Sequence, residues 1–295
     1  NKIRSYKDLP IRLAEFGNVY RYEKHGELHG LIRTRGFTQD DAHIFCRPDQ
    51  VKDEIKSVIN LVLYIFKKFK FKKYKIQISL RDKKNKNYIG EEDEWAKSEE
   101  IIKEIAKEEK LKTSIKEGES AFYGPKIDFM VKDSLGREWQ LGTIQLDYQM
   151  PERFKLNYID LNKKKKKPII IHRAPFGSLE RFIGILIEHT EGKFPLWISP
   201  EQVNIIPISE KYHEYSKEIY KILRSENIEC NINNKNEKIG KKIRNSEMQK
   251  IPYMIIVGKD EHEKKNISVR KQGKKETKKM KINKFIEIIK KEIKI

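Results

Sequence analysis

At 295 residues, with 37% hydrophobic and 37% charged side chains, the chain suits about two soluble domains, each large enough for its own core. No apolar run approaches the roughly 20 residues of a membrane-spanning helix. Only two cysteines, Cys46 and Cys230, occur; they exclude a disulfide framework and are expected of a reducing, cytoplasmic compartment. The net charge of +20 suits a polyanionic partner bound in a salt-dependent way, and a Lys-, Ile- and Asn-rich coding bias gives the same excess.

In chain order, residues 1–10 read as a connector. The opening residue is Asn1, not Met, and no signal peptide is visible, as expected of a fragment. Residues 12–23 and 30–43 read as two extended runs joined by a polar loop. Val19, Tyr20 and Tyr22 have strand character, Lys24 to Glu27 is turn material, and the second run starts at Leu31. Ile44 to Cys46 completes that strand, Arg47 to Asp49 turns, and Cys46 reads as a small buried hydrophobe. Over residues 50–67, Val51, Ile55, Val58, Ile59, Val62, Leu63 and Phe66 recur at helical spacing and predict a core-facing amphipathic helix. Residues 73–80 alternate Tyr74, Ile76, Ile78 and Leu80, a strand with one buried face. The charged stretch to Asp93 reads as a loop, and residues 95–110 as a helix whose acidic approach suits a helix N-terminus.

Gly124-Pro125 turns into a strand, and residues 138–147 form another whose Thr143, Gln145 and Asp147 share one face. Lys163 to Lys167 is either a solvated loop or a contact to a nucleic-acid backbone. Pro168 to His172 is a buried strand, followed by a helix that Ser178 caps. Residues 192–200 mark a boundary, giving domains at 1–194 and 195–295. Beyond it, strands over 203–208, 228–232, 253–257 and 267–270 alternate with helices over 212–223, 239–248 and 282–293. That pattern predicts an α/β domain with parallel strands.

Arginines on a rigid sheet suit phosphate, because the planar guanidinium donates two bonds to its oxygens. Arg12-Leu-Ala-Glu-Phe-Gly17, Arg21-Tyr-Glu23 and Gly36-Phe-Thr-Gln-Asp-Asp-Ala-His43 together resemble motif 2 of the class II aminoacyl-tRNA synthetases, in its threonyl form. His172-Arg-Ala-Pro-Phe-Gly177-Ser-Leu-Glu-Arg181 resembles motif 3. Residues 121–129 and 138–147 resemble the segments lining the amino-acid and ATP pocket, with Leu141 where a Cys is common. Asn236-Glu-Lys-Ile-Gly240-Lys-Lys-Ile-Arg244 resembles the anticodon-binding domain that several of these enzymes share.

The resemblance implies a class II antiparallel-sheet catalytic core, lacking its first part, then a smaller α/β anticodon-binding domain. It implies ATP-dependent attachment of L-threonine to tRNA(Thr) through a threonyl-adenylate. Arg21 would bind the α-phosphate, Arg33 and Arg181 the γ-phosphate, and Phe37 and Arg181 the two adenine faces, with Glu23 and Gln140 completing the ATP site. Gln39, Asp41, Tyr123 and Gln145 would surround threonine. His43 and His172 would be two ligands of a Zn2+ that selects threonine by its hydroxyl, the third being a Cys ahead of motif 2. Cys46 is a poor substitute, because three residues along a strand it faces the other way from His43. Mg2+ would accompany ATP. Asn236, Glu261 and Arg270 would meet anticodon bases, and the lysines around them, Lys235, Lys238, Lys241, Lys242 and Lys271, would add exposed, sequence-blind affinity that falls with salt. Motif 1, a homodimer contact in this family, would also lie ahead of Asn1. Two alternatives stay open: a prolyl-, glycyl- or histidyl-type relative, and a non-catalytic tRNA-binding module.

Overall fold

A short strand, β1 (Arg4–Ser5), leads through a 3₁₀ turn at Tyr6–Asp8 into the first long strand. The computed structural model describes residues 2–85 and 87–294. Asn1 of the expected connector, Lys86 of the expected loop and Ile295 lie outside the described residues. β2 (Ile11–Tyr20) and β3 (Gly36–Cys46) pair antiparallel, with Leu13 opposite His43, Glu15 opposite Asp41 and Gly17 opposite Gln39. The second strand starts at Gly36, not at the expected Leu31. The intervening residues close a local turn, in which Ile32 and Arg33 donate their N–H groups to the His29 carbonyl.

Two helices cover one side of the sheet. They are α1 (Val51–Lys68) and, after β4 (Tyr74–Leu80), α2 (Glu92–Glu108). Ile55, Ile59, Val62 and Phe66 of α1 are at most 1% exposed. Each such burial contributes about 1.5–3 kcal/mol relative to exposure. β4 was expected to hide one face only, yet Gln77 and Ser79 on its other face are buried too. They can be buried because each is hydrogen-bonded: Gln77 Nε2 donates to Ser79 Oγ and Glu119, and Ser79 Oγ donates to Asp128 Oδ2 at 2.9 Å.

β5 (Thr113–Glu117) has no counterpart among the elements expected from the sequence, because an exposed edge segment carries no apolar alternation. β6 (Lys126–Lys132) and β7 (Glu138–Asp147) follow, then α3 (Gln149–Arg153). β8 (Tyr158–Ile159) and β9 (Lys165–Lys166) make a small hairpin that places part of the lysine run in a strand. β10 (Ile169–Ala174) and α4 (Leu179–Thr190) complete this part. The large sheet has the order β2-β3-β10-β7-β6-β4-β5, antiparallel throughout except for β4 with β5.

The chain divides into two compact units, Asn1–His189 and Thr190–Ile295. The second holds β11 (Val203–Pro207), α5 (His213–Ser225), β12 (Cys230–Ile232), α6 (Ile239–Met248) and β13 (Tyr253–Val257). It continues with α7 (Lys259–Glu263), β14 (Ile267–Lys271), β15 (Thr277–Met280) and α8 (Ile282–Ile293). Its sheet order is β12-β11-β13-β14-β15. The expected parallel arrangement holds for β12, β11 and β13, whereas β14 and β15 run antiparallel. The connections from β13 to β14 and β15 are too short for a helical crossover of the kind a parallel pair needs. Its core gathers Val203, Ile205, Ile219, Leu223, Ile255, Phe285 and Ile289, each at most 1% exposed.

Candidate functional site

The register of the large sheet brings residues far apart in sequence into one row. His43 on β3 stands opposite His172 on β10, which stands opposite Gln145 on β7, which stands opposite Lys126 on β6. Directly opposed residues share a face, and the period of two puts Phe37, Gln39 and Asp41 on that face with His43. Cys46 faces the other way and is fully buried, and burial pushes its thiol up to about 12. A protonated, inward-facing thiol is no metal ligand.

Beside this row lies a cleft of about 130 Å³, lined by Arg21, Glu23, Arg33, Phe37, Gln39, Gln140, Thr143, Gln145 and Arg181. Every residue read from the sequence as ATP-binding is therefore at one cleft. The three arginines differ in how they are held. Arg33 is ion-paired to Glu23 at 2.9 Å and to Glu27 at 3.4 Å. The Arg21 guanidinium lies 5.2 Å over the Phe37 ring. Arg181 donates from Nε to the Ile32 carbonyl at 2.8 Å and from Nη1 to the Gln140 carbonyl at 3.0 Å, and it sits 5.5 Å from the Trp139 ring. Among the described residues neither Arg21 nor Arg181 is ion-paired to a carboxylate. Burial, followed by repulsion from Arg33 and Arg21, lowers the pKa of Arg181 below the usual arginine range. Uncompensated guanidiniums converging on a cleft form an anion site.

The other half of the row is a polar chain. Tyr123 Oη donates to Gln145 Oε1, Gln145 Nε2 donates to Thr143 Oγ1 at 3.3 Å, and Thr143 Oγ1 donates to Asp128 Oδ1 at 2.9 Å. Asp128 is 1% exposed and is also ion-paired to Lys126 at 2.9 Å. Burial pushes the Tyr123 phenol up to about 12, so it stays a donor. Asp41 and His43 open on a separate hollow with Leu13, Ala14 and Glu15.

The two imidazoles meet edge to face, with centroids 4.8 Å apart. His172 Nε2 lies 2.8 Å from Oδ2 of Asp147, whose side chain is fully buried. A carboxylate oxygen accepts, so His172 donates from Nε2 to Asp147, the kind of contact that orients a metal-ligating histidine. Burial, and after it the neighbouring His172, lowers the pKa of His43, which favours the neutral form that ligates. Among the described residues no group of three His, Cys, Asp or Glu side chains could hold a metal ion. The pair alone does not make a zinc site, which needs at least three protein ligands.

Asp40, the neighbour of Asp41, points to the opposite face, where burial pushes its carboxyl up to about 6 against the pull of the Phe176 and Gly177 N–H groups it accepts. Asp40, Asp128, Asp147 and Glu180 are not among the site residues expected from the sequence. The available signal was an acid within an otherwise apolar or alternating strand, at Asp128 and Asp147.

In the second unit Asn236 is exposed, in the loop ahead of α6. Arg270 on β14 is held at 3.3 Å by Glu247. Glu261 is 7% exposed, and both oxygens are engaged: Oε2 accepts the Gly258 N–H at 2.9 Å and Oε1 accepts from Ser268 Oγ at 2.7 Å. It caps α7 and is not an open acceptor. Lys242, expected among the exposed lysines, is 3% exposed and its ammonium donates to the carbonyls of Pro207 and Asn233.

Residues 1–190 match the family described as tRNA synthetase class II core domain (G, H, P, S and T), and residues 202–292 match the anticodon binding domain family. The chain therefore belongs to the class II aminoacyl-tRNA synthetases. Its relatives point to the threonyl type. Threonine–tRNA ligase of Porphyromonas gingivalis is 57% identical over 290 residues, which are 98% of this chain and 44% of that protein. The same enzyme of Cytophaga hutchinsonii is 57% identical over 293 residues, 99% of this chain and 45% of that one. The chain thus spans less than half the length of these relatives. Among solved structures, the RNA binding domain of threonyl-tRNA synthetase from Cryptosporidium parvum Iowa II superposes with a TM-score of 0.91 at 36% identity, covering 98% of this chain and 72% of that one.

Proposed function

We propose that this chain is the motif 2, motif 3 and anticodon-binding part of a cytoplasmic, homodimeric enzyme that activates L-threonine with ATP and transfers it to tRNA(Thr). The observation that carries the reading is the pair of carboxylate-free guanidiniums, Arg21 and Arg181, on a cleft continuous with the polar row around Gln145. In activation a threonine carboxylate oxygen bonds to the α-phosphorus of ATP, and the bond to the pyrophosphate oxygen breaks. A ribose hydroxyl of the tRNA then takes the acyl group, and AMP leaves. Neither step needs an enzyme nucleophile; both need positioning and stabilisation of phosphate charge.

Arg21 is assigned to the α-phosphate. Arg181 is assigned to the γ-phosphate and one adenine face, Phe37 to the other face, and Glu23 and Gln140 to the adenine edge. Arg33 reaches the γ-phosphate by exchanging Glu23 and Glu27 for it. Mg2+ supplies countercharge to the phosphates when ATP binds. Gln39, Asp41, Tyr123 and Gln145 are assigned to threonine, with Asp41 as the anion for its ammonium. His43 and His172 are assigned as two zinc ligands, which by themselves do not complete a zinc set. Threonine-dependent ATP–pyrophosphate exchange by the full-length enzyme tests the reading. Exchange that valine drives as well as threonine, or none with either, overturns it.

The second unit is assigned to the anticodon of tRNA(Thr), with Asn236 and Arg270 as donors to base edges and Glu261 shaping the β13–β14 turn beside them. Single-stranded loop bases expose those edges. Arg270→Ala is expected to cost about 1–3 kcal/mol of discrimination between cognate and anticodon-swapped tRNA, on the scale of a bidentate base contact. Exposed Lys235 and Lys238 contribute differently: substituting them should weaken both tRNAs alike and flatten the salt dependence. Titrations with the two tRNAs at two salt concentrations separate the effects. Equal loss for both tRNAs in Arg270→Ala removes the base-reading role.

A further inference from the structure

We infer that Asp40 and Glu180 are positioning residues that hold Arg181 against the repulsion of Arg21 and Arg33, and so set how tightly the cleft grips a nucleotide's phosphate tail; this rests on the ATP site proposed above. Neither acid lines the cleft. Both belong to a strap between the motif 2 strand and the turn that starts the motif 3 helix. Three consecutive residues of β3 take part. The Thr38 N–H donates to both Glu180 oxygens, each at 2.9 Å. Gln39 bridges Ser178. Asp40 accepts the Phe176 N–H at Oδ2 and the Gly177 N–H at Oδ1, both at 2.9 Å. Ser178 Oγ donates to Glu180 Oε2 at 3.1 Å and accepts the Arg181 N–H at 3.1 Å, which carries the strap onto the backbone of Arg181 itself.

The turn is blocked on its other side as well. Gly177 has φ +71°, and a Cβ there would stand 2.5 Å from the Leu141 carbonyl oxygen of β7. The Arg181 backbone is therefore fixed to β3, while its guanidinium is fixed by carbonyls of Ile32 and Gln140. Those carbonyls are dipoles without net charge, so they orient the guanidinium without neutralising it. Arg33 and Arg21 repel it, against a weaker attraction from Glu23. A side chain in that balance moves when its backbone loosens, and misplacement on the scale of an ångström removes a charge contact.

The preference for ATP over AMP isolates the phosphate tail from the adenine and ribose. Calorimetric titration of the chain with magnesium ATP and with AMP gives the ratio of the two Kd values, and thermal unfolding is followed in parallel. Glu180→Ala is expected to shrink the ATP preference at least tenfold. Glu180→Gln, which keeps a carbonyl oxygen for the Thr38 N–H, should restore most of it. Asp40→Asn retains one of two N–H bonds, provides a second route should Glu180→Ala fail to fold, and should shrink the preference by a smaller factor. Glu180→Ala or Asp40→Asn with a lowered Tm and the wild-type preference makes the strap a fold staple and overturns the inference. Arg181→Ala with the wild-type preference, or a wild-type chain that does not prefer ATP, overturns the ATP reading instead.

Discussion

In the full-length enzyme, replacing Arg21 by alanine is expected to lower ATP–pyrophosphate exchange about 10²–10³-fold, the loss associated with removing one preorganised charge contact to a developing anion. Folding should be untouched, because the Arg21 side chain is exposed and its contact is the Phe37 ring. Arg181→Ala is expected to cost as much in rate. It should also cost about 1 kcal/mol in stability, since the partly buried carbonyls of Ile32 and Gln140 lose their donor. The two variants thus make a pair: one loses rate alone, the other rate and stability. Exchange within a few-fold of wild type in Arg21→Ala, with an unchanged Tm, removes Arg21 from the phosphate site.

Much of this was legible in the residues, for reasons that differ by element. α1 announces itself because Ile55, Ile59, Val62 and Phe66 recur at helical spacing and pack on one sheet face. The convergence of Arg21, Phe37, Gln140 and Arg181 on one cleft could not be read from spacing. It depends on a register across β3, β10 and β7 that joins segments more than a hundred residues apart, and only the resemblance of their strings carried it. β5 escaped because an edge strand exposed along its length has no apolar period. Lys242 was misplaced because a lysine in a basic run looks solvated, whereas two carbonyls at 3.0 and 3.1 Å satisfy its ammonium inside the domain. Glu261 was read as an acceptor for bases because a string cannot tell a free carboxylate from one capping a helix. At Lys242 a tertiary hydrogen bond, and at Glu261 a local cap, overrode the polarity of the sequence.

The glycine at 124 carries the second large expected effect. A Cβ there would stand 1.8 Å from the Leu146 carbonyl oxygen, a backbone atom in the middle of the sheet. No side chain can swing away to make room, so either the 121–125 turn or β7 must shift. The turn is itself tied down: the Gly124 N–H donates to the Ala121 carbonyl at 3.3 Å, and the Leu146 N–H donates to the Pro125 carbonyl at 3.1 Å. Overpacking against backbone of this kind is expected to cost about 3 kcal/mol. For a unit of this size that lowers Tm by about 6–12 °C. The shift also separates Tyr123 from Gln145 and moves Asp147 under His172, since these groups flank the point of contact. Gly124→Ala should therefore weaken threonine binding far more than ATP binding, because Arg21, Phe37 and Arg181 are carried by other segments. Thermal unfolding with separate threonine and ATP titrations checks both parts. A wild-type Tm would mean that the turn does not press on β7, and equal losses for both ligands would place Tyr123 and Gln145 outside the amino-acid site.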